Sequence, residues 1–323
     1  MDRHAFGGSH SMTTQSNAVA YLGPEGSFCH QAARMLHTRA DEFIPMKDVK
    51  SVVAAVERGD VRHGLVPIEN SVEGEVTSTI HEIVFNTSQV VVREEVVIPV
   101  SFHAFTNSPN AQPTTAVSHP FALAQCQRFI ARSSLLTKTA DSTSAACQQL
   151  ASNPDASMVA LGSALAGEIY GLHVFEENVE DNKLAHTKFY LLSHDLPAER
   201  QNADYRTWIA LVPPDNHTGV LADILQCFSS RGLAVFSISS RPLRAELGAY
   251  CFILTTEGWL GDTAVTDALQ ELYGIGSTLR VLGSFPAWSG AGVVPSIVDL
   301  DNVSPGLNAG FSQSMPTIPW EKV

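Results

Sequence analysis

The fold of this chain is decided by Ala18-Val19-Ala20-Tyr21-Leu22-Gly23-Pro24-Glu25-Gly26-Ser27-Phe28. The five residues from Ala18 predict a buried strand, Gly23 to Gly26 predict a turn, and Ser27 predicts the cap of a helix to about His37. Similar strand–helix alternation continues through the first two hundred residues. Such alternation predicts parallel α/β structure, in which ligands bind where strands end.

Polar clusters follow several of these predicted strands. Gly64-Leu65-Val66 leads into Pro67-Ile68-Glu69-Asn70-Ser71. Ser118-His119-Pro120 precedes a predicted helix from Phe121 to about Ala131. Asp141-Ser142-Thr143 begins another helix, whose N-terminus would attract an anion. These clusters are candidates for the lining of one site, although each is also an ordinary turn or helix cap.

A hydroxyl and a cation lie side by side at the start of a late strand. Thr187 and Lys188 directly precede the apolar run Phe189-Tyr190-Leu191-Leu192. Thr187 can donate or share a proton, and Lys188 can hold an anion. Neighbouring side chains on a strand face opposite ways, so the alternative that Lys188 points away from Thr187 stays open.

A second pattern begins after a polar stretch from Leu196 to about Tyr205. The order strand, helix, strand, strand, helix, strand predicts an α+β ferredoxin-like unit (βαββαβ) over residues 206–286. The ends of the chain, 1–17 and 287–323, are rich in small and polar residues and are expected to be disordered.

Composition limits the possible functions. The chain has 323 residues, 44% of them hydrophobic, which is enough for two or three folding units. Its net charge of −13 argues against a nucleic-acid partner. There is no signal-peptide pattern and no apolar run long enough for a membrane span, and the five dispersed cysteines are typical of reduced thiols in a cytoplasm.

The motifs taken together resemble the prephenate dehydratases that carry a C-terminal ACT regulatory domain. The resemblance covers roughly residues 18–286. Two positions depart from the family pattern: Lys188 replaces the arginine of Thr-Arg-Phe, and Ser239 replaces the glutamate of Glu-Ser-Arg-Pro. The matching segments are Tyr21-Leu22-Gly23-Pro24-Glu25-Gly26-Ser27-Phe28, Val66 to Ser71 with Gly74, Ser118-His119-Pro120 with Gln125-Cys126, Ser142-Thr143, Thr187-Lys188-Phe189, Gly219-Val220-Leu221 and Ser240-Arg241-Pro242.

The resemblance implies a catalytic domain of residues 18–195 with two lobes, like a type II periplasmic binding protein. The lobes would be about 18–98 with 178–195, and 99–177, with Thr187 by the hinge. The implied reaction removes water and carbon dioxide from prephenate to give phenylpyruvate in L-phenylalanine biosynthesis. Because the product is aromatic, the enzyme has only to help hydroxide leave and to orient the departing carboxylate.

Site residues follow from the matched motifs. Thr187 would donate a hydrogen bond to the leaving hydroxyl. Glu69 is also placed in catalysis, although a carboxylate near a dianion is repulsive and Glu69 could instead hold a neighbour in place. His119 is expected mainly to cap a helix. The full catalytic set is Thr187, Glu69 and Asn70, and the substrate-binding set is Lys188, Ser71, Gln125, Ser142, Thr143, Ser27 and Phe189.

The second unit would bind phenylalanine as an inhibitor, at an interface between two copies in a homodimer or homotetramer. This expectation comes from the resemblance and concerns Gly219, Val220, Leu221, Ser240, Arg241 and Pro242. No cofactor is expected, because the histidines lack metal-ligand spacing and the turn at Gly23 lacks the dinucleotide fingerprint. The alternatives are an arogenate dehydratase, a prephenate decarboxylase or a non-catalytic amino-acid sensor. A solute-binding protein is disfavoured.

Overall fold

The computed structural model describes residues 17–36, 40–196, 200–243 and 249–290. The end segments expected to be disordered lie outside this description, apart from residue 17 and residues 287–290. Within the described ranges, the strands form one sheet of ten strands and one of five. No helix of the described ranges is long and apolar enough to cross a membrane.

The first elements alternate strands and helices, as the sequence predicts. Two of the helices begin at side-chain caps: Ser27 accepts from the backbone N–H of His30, and Asp48 accepts from that of Ser51. The first helix ends at Ala33, earlier than expected. The elements are β1 (Ala18–Leu22), α1 (Phe28–Ala33), β2 (Glu42–Met46), α2 (Val49–Glu57), β3 (His63–Asn70), β4 (Gly74–Glu75), α3 (Thr77–Asn86) and β5 (Val91–Pro99).

The middle of the chain forms the five-stranded sheet and its helices. The single helix predicted from Phe121 to Ala131 is wrong, because the helix breaks at Cys126. The carboxylate of Asp181 accepts the N–H groups of Gln127 and Arg128 at 2.9 and 3.1 Å and so caps a new helix there. The elements are β6 (His103–Thr106), β7 (Thr115–Ser118), α4 (Pro120–Gln125), α5 (Gln127–Arg132), β8 (Leu136–Thr139), α6 (Thr143–Ser152), β9 (Met158–Gly162), α7 (Ala164–Ile169) and β10 (His173–Glu176).

The remaining elements return to the larger sheet. First comes β11 (His186–Ser193), and the βαββαβ order predicted for residues 206–286 then follows. The four strands of this C-terminal unit pair antiparallel, which is the ferredoxin-like arrangement. The elements of this unit are β12 (Tyr205–Val212), α8 (Val220–Ser229), β13 (Val235–Pro242), β14 (Tyr250–Glu257), α9 (Thr263–Gly274) and β15 (Thr278–Pro286).

The larger sheet has the order β13-β14-β12-β15-β5-β11-β3-β1-β2, with β4 pairing β3. The parallel pairing that the alternation predicts is present, since β1 is parallel to β2 and β3. The later strand β11 is antiparallel to both β3 and β5. β3 also continues through Pro67 to Asn70 and does not end at Val66. Its pairing with β11 shifts register between Lys188 and Phe189, a bulge at which a proline is tolerated.

The chain passes between the two sheets twice, and the two passages run side by side. The N–H of Val100 donates to the carbonyl of Ala185 at 2.8 Å, and the N–H of Val179 donates to the carbonyl of Phe102 at 2.8 Å. We call the part built on β1 to β5 and β11 the first lobe, and the part built on the sheet β10-β6-β9-β7-β8 the second lobe. The strand β11 therefore begins where the chain has just re-entered the first lobe.

The C-terminal unit packs directly on the first lobe. Strand β15 pairs with β5 at Gly283 and Val92, where a Cβ on residue 283 would lie 2.6 Å from the Val92 carbonyl oxygen. The guanidinium of Arg280 donates to the carbonyls of Ile83 and Thr87 at 3.2 and 2.5 Å, at the C-terminal end of α3. These contacts add a charged donor to backbone carbonyls at the end of α3.

Candidate functional site

The pair Thr187 and Asn70 forms the centre of the candidate site. They are opposite residues of β11 and β3, and the side-chain N–H of Asn70 donates to the Thr187 hydroxyl oxygen at 2.8 Å. Thr187 is mostly buried, with 9% of the residue exposed. The structure thus brings together two predicted catalytic residues that lie 117 positions apart.

The direction of this hydrogen bond is fixed by the turn after Asn70. Its Oδ1 accepts the N–H groups of Val72 and Glu73 at 2.9 and 3.1 Å, so its amide nitrogen must face Thr187. The Thr187 oxygen is therefore an acceptor toward Asn70. Its own proton is left to be donated elsewhere, and this is the arrangement a hydrogen-bond donor to a leaving group requires.

The reverse face of the same strands carries an ion pair. Lys188 and Glu69 are opposite residues, and Lys188 Nζ lies 2.7 Å from Glu69 Oε2. Strand alternation separates the faces: Phe189 packs in the cluster with Tyr21 and α1, whereas Tyr190 packs in the cluster with α2, α3 and Trp208. The structure therefore does not bring Lys188 or Glu69 to the Thr187 side.

The turn between β1 and α1 joins the two lobes. The Ser163 hydroxyl donates to the Gly26 carbonyl at 2.6 Å, and the hydroxyls of Ser144 and Tyr170 both donate to the Glu25 carbonyl. Gly26 has φ +76°, and a Cβ there would lie 2.8 Å from Ala166 Cα. A glycine is needed at this position because the backbones of the two lobes approach so closely.

The other predicted substrate residues occupy mostly backbone-supporting positions. Ser27 donates to the Leu22 carbonyl at 3.1 Å while capping α1. Ser142 caps α6, of which Thr143 is the first residue. Ser71 Oγ accepts the N–H of His186 at 2.9 Å, and the backbone carbonyl of Gln125 accepts the N–H of Asp181. Phe189 is 1% exposed and lies in the apolar core of the first lobe.

A buried aromatic pair lies beside the turn between β1 and α1, and no pattern in the sequence singles it out. The ring of Tyr21 stacks on His30 with centroids 4.8 Å apart, and both residues are more than nine-tenths buried. Burial raises the pKa of Tyr21 and lowers the pKa of His30, so both stay neutral near pH 7. The N–H of Gly26 donates to His30 Nδ1 at 3.2 Å, so the pair supports the interlobe turn.

The residues predicted to bind an effector divide into two groups. Gly219 has φ +99° and precedes α8, followed by the buried Val220 and the exposed Leu221. Ser240, Arg241 and Pro242 end β13, the edge strand of the sheet. Arg241 does not stay within its own unit, because its Nη2 lies 2.7 Å from Glu75 Oε2 of β4.

A small pocket lies between this unit and the first lobe, and it contains both departures from the family motifs. We call it the junction pocket. Its volume is about 150 Å³, and Lys188 and Ser239 both contribute to its wall. The guanidinium of Arg206 lies over the ring of Phe236 at 4.7 Å and pairs with the buried Glu95 at 3.3 Å. The lining residues are Ile68, Glu69, Glu75, Ile80, Lys188, Tyr190, Arg206, Trp208, Phe236, Ser237, Ser239, Ile253 and Thr255.

Fold and site together define a two-lobed α/β protein with a hydroxyl–amide pair near the lobe crossing and a βαββαβ unit at its C-terminal end. Solved structures share this architecture. The prephenate dehydratase from Arthrobacter aurescens in complex with L-Phe superposes with a TM-score of 0.73 at 30% identity, covering 90% of this chain and 97% of that one. GqqA, a novel type of quorum quenching acylase, gives 0.74 at 23% identity, covering 84% and 98%, which shows the fold alone.

Sequence comparison then identifies the family. The family model for prephenate dehydratase matches residues 19–196. The prephenate dehydratase of Lactococcus lactis subsp. cremoris (strain MG1363) is 34% identical over 279 residues, which is 84% of this chain and 98% of the relative. This chain belongs to the prephenate dehydratase family.

Proposed function

We propose that this chain converts prephenate to phenylpyruvate, with loss of water and carbon dioxide, in L-phenylalanine biosynthesis. Family membership supports the reaction. The observation that carries the proposal is the bond from Asn70 to the Thr187 oxygen, since it leaves the Thr187 proton to be donated to substrate.

The reaction breaks two bonds of prephenate. The bond between the ring and its carboxylate breaks, and its electron pair enters the ring as carbon dioxide departs. The ring carbon–oxygen bond then breaks, or breaks together with it, and the hydroxyl leaves with its electron pair and gains a proton to become water. A hydrogen bond from Thr187 to the departing oxygen stabilises the developing negative charge, which is the part of the reaction that a hydroxyl donor can assist.

The contacts to the substrate carboxylates stay predictions. For Ser142 and Thr143, the support is their place at the first turn of α6, where backbone N–H groups and the helix dipole favour an anion. The next residue, Ser144, donates to the Glu25 carbonyl and so brings this helix start against the interlobe turn. Ser27, Ser71 and Gln125 would then shape the cleft through the backbone groups that they hold. Phe189 would act from the core, by fixing the strand that carries Thr187.

Lys188 and Glu69 are proposed to have a structural role and not to contact the substrate. Their mutual ion pair at 2.7 Å and their place in the junction pocket favour a role in holding the β3–β11 pairing from behind. This is the alternative that the sequence analysis left open for both residues. It removes the difficulty of a carboxylate beside a dianionic substrate.

The C-terminal unit, residues 206–286, is proposed to act as an ACT-type regulatory domain that binds phenylalanine and inhibits the catalytic domain of residues 18–195. The supports are its antiparallel βαββαβ arrangement and the L-Phe bound to the Arthrobacter relative. The edge strand β13 exposes Phe236 and Ile238, which favours pairing of two copies as a homodimer or homotetramer. A cytoplasmic location is also proposed, supported by five free cysteines that are all buried.

Incubation of the full chain with prephenate at neutral pH tests the reaction, with phenylpyruvate measured by its ultraviolet absorbance. The controls are a sample without enzyme, because prephenate aromatises by itself in acid, and the Thr187→Ala variant. Phenylpyruvate formed by the wild type and lost in the variant is the expected result. Prephenate consumed without phenylpyruvate would indicate a decarboxylase, and turnover of arogenate alone would indicate an arogenate dehydratase. Phenylalanine binding with no turnover would indicate a sensor.

A further inference from the structure

Two carboxylates face each other directly behind the catalytic pair. Strand β4 pairs antiparallel with β3, so that Glu75 is opposite Glu69 and Gly74 is opposite Asn70. Like charges at opposite positions of a strand pair repel and destabilise the pairing. Whatever neutralises these carboxylates therefore helps to hold the end of β3 in register.

Each carboxylate has its own cation, and the two cations come from different parts of the molecule. Glu69 pairs with Lys188 of β11 at 2.7 Å, whereas Glu75 pairs with Arg241 of β13 at 2.7 Å. The other cation of the junction pocket, Arg206, is engaged by the buried Glu95 and by the face of Phe236. The C-terminal unit thus supplies the charge that neutralises Glu75, which is opposite the residue preceding Asn70 on β3.

Removal of the Arg241 charge would change the charge balance around Lys188. Glu75 would lose its partner and would then compete for Lys188, which lines the same pocket and is already held by Glu69. A pull on Lys188 acts on β11 at the residue beside Thr187. A one-sided displacement of β11 would lengthen the 2.8 Å contact between Asn70 and Thr187, because both belong to the same strand pairing.

We propose that Glu75 and Arg241 are positioning residues for the Asn70–Thr187 pair, and that the C-terminal unit acts on catalysis through their contact. The proposal rests on the dehydratase function proposed above and adds the residues by which the regulatory unit reaches the site. Neither residue touches the reacting atoms. Their effect passes through Glu69, Lys188 and the β3–β11 pairing.

The first test compares Arg241→Gln with Arg231→Gln in the full-length protein, assayed without phenylalanine. The control is closely matched: Glu271 pairs with Arg231 within the C-terminal unit at the same 2.7 Å, and the side-chain exposures of 47% and 26% resemble the 43% and 25% of Glu75 and Arg241. We expect kcat to fall about two- to fivefold in Arg241→Gln with KM unchanged, because Glu75 is left charged opposite Glu69; this is the size a partly exposed ion pair supports. Arg241→Lys should retain most of the rate, and Arg231→Gln all of it.

A double variant tests whether the two residues act as one unit. If the unbalanced Glu75 carboxylate is the cause, adding Glu75→Gln to Arg241→Gln should recover most of the lost kcat. A loss in the double variant as large as in Arg241→Gln alone, or a raised KM with unchanged kcat, would overturn the proposal.

Hydrogen–deuterium exchange separates this proposal from the assignment of the reaction. Peptides covering 64–75 and 184–193 should exchange faster in Arg241→Gln than in the wild type or in Arg231→Gln, because the β3–β11 pairing is loosened. This readout needs no substrate. A wild type that makes no phenylpyruvate would defeat the proposed function alone. Exchange in Arg241→Gln equal to that in Arg231→Gln would defeat the positioning role, whatever the activity.

Discussion

The two faces of the β3–β11 pairing carry different chemistry on adjacent residues. One face has a neutral hydrogen bond from Asn70 to Thr187, with Thr187 only 9% exposed. The other has the Lys188–Glu69 ion pair, whose side chains are 26% and 50% exposed. A one-residue step along a strand reverses the side, so a single rigid pairing can hold a donor for substrate and a charged contact to another unit. Functional residues that are adjacent in sequence therefore need not share a site.

Removal of the Thr187 hydroxyl should have the largest effect. Thr187→Val keeps the shape of the side chain and removes the donor, so kcat should fall by about 10²- to 10⁴-fold. Thr187→Ser, which keeps a hydroxyl, should retain most of the rate. Steady-state phenylpyruvate formation measures both. Thr187→Val with more than about a tenth of wild-type kcat would show that the hydroxyl is not the donor.

Variants of Asn70 should have the next largest effect on kcat, and that effect should depend on the charge of the new side chain as well as on its size. Asn70→Ala loses the hydrogen bond that directs Thr187, with an expected loss of about tenfold in kcat. Asn70→Asp keeps the shape, but its carboxylate can only accept hydrogen bonds. It would accept the hydrogen bond of the Thr187 hydroxyl, which could then no longer be donated to substrate. We expect Asn70→Asp to be slower than Asn70→Ala. The reverse order in kcat would contradict the assigned direction of the hydrogen bond.

The ion-pair face should be less sensitive. Glu69→Gln and Lys188→Met each remove one charge of a pair that is partly exposed, so kcat should fall only about two- to fivefold. Lys188→Arg keeps the charge and should be close to wild type. These variants are compared with Thr187→Val under one set of assay conditions. A loss of 10²-fold in Lys188→Met with raised KM would instead place Lys188 on the substrate.

The sequence is informative wherever burial dictates the residue pattern. The apolar run Phe189-Tyr190-Leu191-Leu192 predicts a central strand because both of its faces are buried. Four strands were missed: β2, β4, β8 and β10. The strands β2, β8 and β10 lie at sheet edges, β4 pairs with β3, and none of the residues of the four is buried. Edge pairing is specified by the neighbouring strand more than by the edge segment itself.

The site shows a similar division. Thr187 and Asn70 could each be selected from the sequence, because polar residues of their motifs stand out beside apolar strands, and their catalytic roles stay predictions. Their contact depends on a register between segments 117 residues apart, and no local pattern encodes it. Glu75 could not be found from the sequence, because an exposed glutamate in Val72-Glu73-Gly74-Glu75 looks like any other turn residue. Its partner Arg241 arrives from another unit.

The smallest predicted effect concerns Lys188 and Ser239, the two residues that differ from the family motifs and that both line the junction pocket. Ser239→Glu would place a third carboxylate in a wall that already contains Glu69, Glu75 and Lys188. The new carboxylate would compete with Glu69 for Lys188, and the pocket would hold one more negative charge than its neighbouring cations balance. We expect kcat to change less than about twofold, since the added charge reaches the catalytic pair only through the strand.

The response to phenylalanine should move more than the rate in this variant. If β13 transmits the effector signal, a new link between β13 and Lys188 should shift the half-inhibitory phenylalanine concentration by about two- to fivefold, a coupling change of the size one surface-accessible pair supports. Adding Lys188→Arg, whose planar fork engages two carboxylates better than an ammonium does, should strengthen the shift. Gln270→Glu adds the same charge on an exposed residue of α9 and should change neither quantity. Equal inhibition curves for Ser239→Glu and Gln270→Glu would show that the charged face of the pairing has no part in regulation, and the contrast between the two faces would then be one of packing alone.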